Sequence, residues 1–282
     1  MDWILYNGDL IKEDELKLSR EDRAYQFGDG IYEVIRIYGG DFFTAEEHID
    51  RFYESAEKIR MVFPYTKDVF HKMLHELVER NEVTDGQVYV QVSRGASMRQ
   101  HHFPELAEPV LVASTKPLSR PVEWMKAGVK AKLIEDVRWL RCDIKSLNLL
   151  GNVLAKQEAH EAGCFEAILH RGDVVTEGSS SNMFGIKGGI LYTHPATNLI
   201  LNGITRRVIM QICKDLDIEL QETAFTVDQA LAMDEFFMCS TTAEILPVIQ
   251  IDDTVIGNGK PGKVTNRLIE AFEARIGVSV NA

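Results

Sequence analysis

Cysteine is scarce in this sequence, and what there is does not pair up. Its 282 residues hold 4 cysteines. Cys142, Cys164, Cys213 and Cys239 are widely spaced and form no Cys-x-x-Cys pair, so neither a disulfide framework nor a zinc cluster is indicated, and a reducing compartment fits best. Positive charge is also short, with 31 basic against 43 acidic residues and a net charge of −12. That balance argues against a nucleic-acid or anionic-membrane partner, so any anion must be bound locally. No apolar run approaches the roughly 18 residues that a membrane-spanning helix requires. The opening Met1 to Gly8 lacks the basic segment and apolar run of a secretory signal, and a cytoplasmic protein is expected. No low-complexity tract or fixed-period repeat occurs. Gly28-Asp29-Gly30 lacks a third glycine and precedes a strand, which excludes a dinucleotide fingerprint. His71 and His75 are four apart on a helical pattern but lack the glutamate of a zinc-peptidase motif, so they read as surface residues and no metal is expected.

What is present is an ordinary folding composition, 45% hydrophobic and 26% charged, long enough for two domains. Asn7-Gly8 between apolar runs signals a hairpin. Ile31 to Tyr38, turned back by Gly39-Gly40-Asp41 into Phe42-Phe43, signals a second. Thr44 with Glu47 three residues on predicts a capping box, followed by a helix carrying Ile49, Phe52, Ala56 and Ile59 and ended by Pro64. A further helix runs toward Asn81 through Phe70, Leu74, Leu77 and Val78. Strands follow at Gln87 to Ser93 and Val110 to Ser114. Pro117 and Pro121 cannot donate to a ladder, which places a domain boundary between 1–118 and 119–282. The second part reads as strand 129–139, helix 147–162, two hairpins (167–175 and 183–192), helix 205–216, more β structure and a last helix. Without regular βαβ alternation the class is α+β.

Several stretches could carry chemistry, each with a plainer alternative. Glu177-Gly178-Ser179-Ser180-Ser181-Asn182 is the densest polar stretch and equally a simple turn. Asn202-Gly203-Ile204-Thr205 opens a helix whose free backbone N–H groups could bind a phosphate or simply be capped. Ser240-Thr241-Thr242 has the same two readings. Lys145 approaches an apolar run, where partial desolvation would make the amine nucleophilic, although most lysines are merely solvated. Arg99 and His101, in a loop after a strand, could clamp a carboxylate or form a solvated basic loop.

Taken together, the span from Glu177 through Asn182, Met183 and Phe184, then Leu191 and Thr193, and on to Leu201, Gly203, Ile204 and Arg206 resembles the signature of the fold-type IV pyridoxal-phosphate enzymes, the class IV aminotransferases. Arg51 and Lys145 fall where the family's phosphate-binding arginine and Schiff-base lysine fall. Asp22 to Glu33, Arg138 to Asn148 and Thr176 to Asn182 are most similar to the branch of that family that acts on D-amino acids, along nearly the whole chain.

This resemblance implies an α+β fold of two domains, a smaller N-terminal α/β domain and a larger C-terminal domain with a barrel-like sheet core. It implies pyridoxal 5′-phosphate as cofactor, small D-amino acids and 2-oxo acids as partners, and a homodimer. Lys145 is then the catalytic amine and Glu177 the partner of the pyridine nitrogen. Arg51, the backbone of Ile204 and Thr205, and Thr241 would hold the phosphate. Tyr32, Arg99 and His101 would grip the substrate α-carboxylate, and Ser179, Ser180 and Ser181 would border a permissive polar side-chain pocket. The alternatives are a branched-chain L-amino-acid aminotransferase, against which the Arg99-x-His101 pair speaks, and aminodeoxychorismate lyase. A binding or scaffold protein on the same fold would not need Lys145, Glu177 and Arg51 together.

Overall fold

A computed structural model of the chain describes residues 2–106 and 108–277. The chain divides into two compact units, Met1–Ser119 with Ile144–Asn148, and Arg120–Asp143 with Leu149–Ala282. The expectation of one continuous 119–282 domain thus meets an exception in the five residues that carry Lys145.

The first unit is built on a sheet of six strands, β1 (Trp3–Tyr6), β2 (Asp9–Lys12), β3 (Gly30–Tyr38), β4 (Asp41–Phe42), β5 (Gly86–Ser93) and β6 (Val110–Pro117), in the order β2-β1-β6-β5-β3-β4. Every pairing is antiparallel. The β1–β2 turn is made by Asn7 and Gly8 at φ 49° and 99°, the doubly left-handed turn that matches strand twist. Alternation along β3 sends Ile31, Ile35 and Ile37 into the core and leaves Tyr32, Val34 and Arg36 on the opposite face. The core is closed by α2 (Ala45–Lys58) and α3 (Lys67–Arg80) through Phe52, Phe70, Leu74 and Leu77. Short α1 (Arg23–Phe27) precedes β3; Asp22 caps it and Gly28, at φ 66°, ends it.

Three local expectations need correction here. Thr44 stands at the N-cap of α2 but at φ 55° with no side-chain cap bond; its hydroxyl donates to the Phe43 carbonyl instead, so there is no capping box. The helix stops at Lys58, well before Pro64, because Arg60 turns left-handed at φ 56°. His71 and His75 are not free surface residues but half-buried, edge-on to Phe42.

The second unit contains α4 (Val122–Ala127), β7 (Val129–Glu135), α5 (Leu150–Glu161), β8 (Glu166–Arg171), β9 (Val174–Gly178), β10 (Asn182–Lys187), β11 (Ile190–Thr193), α6 (Ile204–Asp215), β12 (Leu220–Gln221), α7 (Val227–Leu231), β13 (Glu235–Ser240), β14 (Glu244–Ile251), β15 (Thr254–Val255) and α8 (Lys263–Ile276). The strands order as β12-β11-β10-β13-β14-β7-β8-β9, with β15 on β14. Because residues Ser179–Ser181 turn β9 tightly back into β10, with the Gly178 N–H donating to the Ser181 carbonyl, the sheet's end strand returns to its interior and the sheet curls. Both expected hairpins are present. The helix expected from 147 begins only at Leu150, since Ile144–Leu147 is bonded to the start of β3 instead: Tyr32 N–H donates to the Lys145 carbonyl and Leu147 N–H to the Gly30 carbonyl, both at 3.0 Å. The chain is thus an α+β fold, and no described helix is long and apolar enough to cross a membrane.

Candidate active site

In the first unit the short segment that carries Lys145 is held to β3 by those backbone bonds and anchored by Ile144, which is part of the core. The ammonium of Lys145 stands 4.1 Å from the centroid of the Tyr32 ring, and Tyr32 in turn stacks on Tyr89 at 5.7 Å. Among the described residues no carboxylate pairs with Lys145. A half-buried amine on an aromatic face, outside any ion pair among the described residues, is a candidate nucleophile.

Beside it lies a buried charge cluster that the sequence reading only half found. Arg51 donates from Nε to Glu33 Oε1 at 2.6 Å and from Nη2 to Oε2 at 3.0 Å, while His48 Nδ1 meets the same Oε2 at 2.7 Å. Burial pushes the Glu33 carboxyl up, but the charges of Arg51 and His48 and their hydrogen bonds hold it far below its ordinary value. Burial depresses His48 against the pull of Glu33, with Arg51 and Lys145 adding to the depression. Glu33 therefore fixes the orientation of Arg51 through a planar two-point bond. His48 and Arg51 lie three apart on α2 and share a face.

In the second unit Glu177, at the end of β9, is fully engaged by donors. Arg138 Nη1 reaches Oε1 at 2.7 Å, and Asn182 Nδ2 and the Leu201 N–H reach Oε2 at 3.1 and 3.0 Å. Arg138 is itself held by Asp136 through Nε and Nη2, each at 2.9 Å, and Asp136 also accepts from Thr176 and Arg171. Burial nonetheless outweighs Arg138 and raises the Glu177 carboxyl to about 7. Its ionised form is thus undercompensated by the protein, and a cationic group beside it would complete the site.

Asn182 ties this carboxylate to a helix start. Its amide also donates to the Leu201 carbonyl at 2.9 Å, and a Cβ at Gly203 would meet its Oδ1 at 2.2 Å, so only glycine fits there. Gly203 is the N-cap of α6 and has no side-chain cap. Ile204 and Thr205 begin the helix buried, presenting the unpaired first-turn N–H groups that bind anions well. Thr241 is half-buried in the turn between β13 and β14, where Ser240 Oγ accepts from the Ala243 N–H.

The hydroxyls of Ser179, Ser180 and Ser181 all donate to Glu166, a residue with no solvent exposure. Lys156 pairs with the same carboxylate at 3.4 Å and Asn152 donates to the Ser179 carbonyl at 2.7 Å. A buried carboxylate with this many donors sets the shape of the loop.

Arg99 and His101 are exposed in the first unit and both meet Phe27: the Arg99 guanidinium carbon is 4.9 Å from its ring centroid, and the His101 ring 5.5 Å. Among the described residues no hydrogen bond, ion pair or ring contact joins them to Tyr32. Glu33, His48, Asp136, Arg138, Glu166 and Asn182 were missed as site residues because the bonds that link them, such as Glu33 to Arg51 and Arg138 to Glu177, form only in the folded chain. The one local clue was the unusual density of charge on otherwise apolar strands.

Each unit thus carries its own uncommon feature, an unpaired lysine on an aromatic face in the first and a strained buried glutamate tied to an uncapped helix start in the second. The chain belongs to the amino-transferase class IV family, whose model matches residues 30–251. More particularly, it is 48% identical over 274 residues to the D-alanine aminotransferase of Staphylococcus epidermidis, covering 97% of each chain. It is 47% identical over 273 residues to that of Bacillus licheniformis, covering 97% of this chain and 96% of the other. Among solved structures it matches the branched-chain amino acid aminotransferase of Escherichia coli with TM-score 0.93 at 27% identity, over 97% and 94% of the two chains. A T.th. branched-chain amino acid aminotransferase solved with pyridoxamine 5′-phosphate matches with TM-score 0.93 at 30% identity, over 99% and 95%. The fold is therefore fold-type IV.

Proposed function

We propose that the protein is a pyridoxal 5′-phosphate-dependent aminotransferase acting on D-amino acids, converting D-alanine and 2-oxoglutarate to pyruvate and D-glutamate. The observation that carries this reading is 48% identity to a D-alanine aminotransferase across 97% of both chains. The residues fit the cofactor: Lys145 offers an amine without an anionic partner, Glu177 an acid raised to about 7 by burial, and α6 an uncapped start at Gly203. When bound, the cofactor supplies an aldehyde for amine condensation and a protonated ring that takes up the electrons released at the substrate Cα.

Everything else falls to the chain. Lys145 Nζ would carry a proton from the substrate Cα to the cofactor carbon that bore the aldehyde, and in the opposite direction in the second half of the exchange. Glu177, steadied by Arg138 and Asn182, holds its negative charge against the ring nitrogen. For the phosphate, the first unit offers Arg51, oriented by Glu33, and the second offers the N–H groups of Ile204 and Thr205 and the Thr241 hydroxyl. Tyr32, Arg99 and His101 hold the α-carboxylate, which decides the enantiomer whose Cα hydrogen faces Lys145. Ser179 to Ser181 border the substrate side chain with a shape set by Glu166. The same reading takes the protein as a cytoplasmic homodimer, and sedimentation tests the assembly.

The deciding assay runs D-alanine and L-alanine in parallel with 2-oxoglutarate and measures pyruvate and D-glutamate. Transfer from D-alanine alone is expected; equal or greater transfer from L-alanine overturns the stereochemical assignment. The solved neighbours of branched-chain type favour one second reading, for which L-leucine serves as donor. Pyruvate without glutamate would instead indicate lyase chemistry.

A further inference from the structure

The loop that carries Arg99 and His101 has no regular secondary structure and is mostly exposed, yet it is held from beneath by an unusual device. Arg23, 3% exposed, collects the carbonyls of three consecutive loop residues. Its Nη1 donates to Gln100 at 2.7 Å and to His102 at 3.4 Å, and its Nη2 to His101 at 3.4 Å. Its Nε donates to Asp29 at 2.7 Å. Asp29 also accepts from Arg94 Nε at 2.9 Å, and Arg94 spends its remaining donors on the carbonyls of Arg60 and Ile59 while lying 3.7 Å over Phe103, at the loop's far side. Burial pushes the Asp29 carboxyl up, but its bonds to Arg94 and Arg23 hold it below its ordinary value, so the carboxylate stays charged between two buried cations.

Phe27 completes the arrangement. Its ring has the Arg23 guanidinium at 4.8 Å and the Arg99 guanidinium at 4.9 Å, with His101 also against it. The start of the loop is lashed to α1 by Arg23 N–H to the Gly95 carbonyl and Ser97 N–H to the Glu21 carbonyl, and Gly95, at φ 100°, could not carry a side chain because its Cβ would meet the Glu108 carbonyl at 2.1 Å. Burying two arginines to tether backbone carbonyls is a costly way to hold a surface loop if stability alone were served. It is an effective way to hold two exposed side chains in one orientation, because a planar fork bonded to successive carbonyls leaves the backbone no freedom to swivel.

We infer that Arg23, Asp29 and Arg94, with the ring of Phe27, are positioning residues that preset Arg99 and His101 for a substrate carboxylate. This rests on the carboxylate role of Arg99 and His101 proposed above. Arg23→Lys keeps the charge beside Asp29 but cannot reach three carbonyls, and Phe27→Leu removes the shared ring at a half-buried position that tolerates it.

The test measures KM and kcat for D-alanine together with the cofactor absorbance band and the thermal midpoint, in the holoenzyme. Both variants should raise KM by roughly 10-fold to 100-fold, the penalty of a misplaced binding group, with kcat changed far less and the absorbance band unaltered. Arg23→Lys should be the more severe. If Phe27→Leu and any folded Arg23→Lys protein lower the midpoint yet leave KM at the parent value, while Arg99→Ala raises it, the residues are merely structural and the inference is overturned. If Arg99→Ala itself leaves KM unchanged, it is the carboxylate role that fails instead.

Discussion

Replacing Glu177 with glutamine should uncouple stability from activity. In the cofactor-free protein the Glu177 carboxyl is raised from 4.5 to about 7 because burial outweighs Arg138. Between those values the folded state binds more protons than the unfolded chain, so the contribution of Glu177 to stability is intact below 4.5 and declines as pH rises through about 7. At about 1.4 kcal/mol per pH unit, the loss amounts to about 3 kcal/mol. An amide does not titrate, so the variant escapes it. Glutamine has its own cost, however. All three neighbours of Glu177 are donors, and an amide oxygen turned to Asn182 and Leu201 leaves its NH2 group facing Arg138, an unmet contact worth about 1–3 kcal/mol. The variant should therefore be the less stable protein at about pH 5 and equal or exceed the parent at about pH 8 in urea unfolding of the cofactor-free forms. Turnover of the reconstituted variant should fall by roughly 100-fold or more, because the charge opposite the ring nitrogen is gone. A stability gap that is the same at both pH values would refute the picture of a strained carboxyl, and undiminished turnover would remove Glu177 from the chemistry.

Three other outcomes are expected. Lys145→Ala should abolish multiple turnover, measured as pyruvate release, while leaving the fold intact because the segment is held by its backbone; parent-rate turnover would mean another amine acts. Gly203→Ala forces a Cβ onto Asn182 Oδ1 at 2.2 Å and should cost about 1–3 kcal/mol of stability while weakening cofactor retention. Titration of the cofactor and thermal unfolding check this together, and no change in either would show that α6 does not depend on that close approach. Glu166→Gln puts a donor among the three serine hydroxyls, the Ala167 N–H and Lys156. A loss of about 3 kcal/mol is expected by chemical denaturation, and a near-neutral result would mean the loop keeps its shape without the carboxylate.

Much of the local structure was legible because its causes are local. Asn7-Gly8 turns a hairpin since both residues take positive φ, and the apolar spacing of Phe70, Leu74, Leu77 and Val78 produces α3 because those positions share one helix face. Lys145, Glu177 and the α6 start stand out as candidates, since they lie in a recognisable order and spacing along the chain. The misreadings share a cause as well. Thr44 and Glu47 have capping-box spacing, but the left-handed backbone at Thr44 turns its hydroxyl away. The helix expected from 147 starts late because β3 captures the backbone of Lys145 to Leu147 through a bridge at Ser146.

The order of residues by itself determined the class of fold, the two-unit size and the family, for these depend on periodicity, turn chemistry and motif spacing within short stretches. Only the tertiary structure decided which charges are buried and what each one faces. Glu33 orients Arg51 from 18 positions away, Arg138 braces Glu177 from 39, Glu166 gathers three serines, and Arg23 tethers carbonyls 77 and 78 positions distant. A charge acquires its energetic meaning from the dielectric and the partners around it, and in this chain both are supplied by residues that meet only after folding.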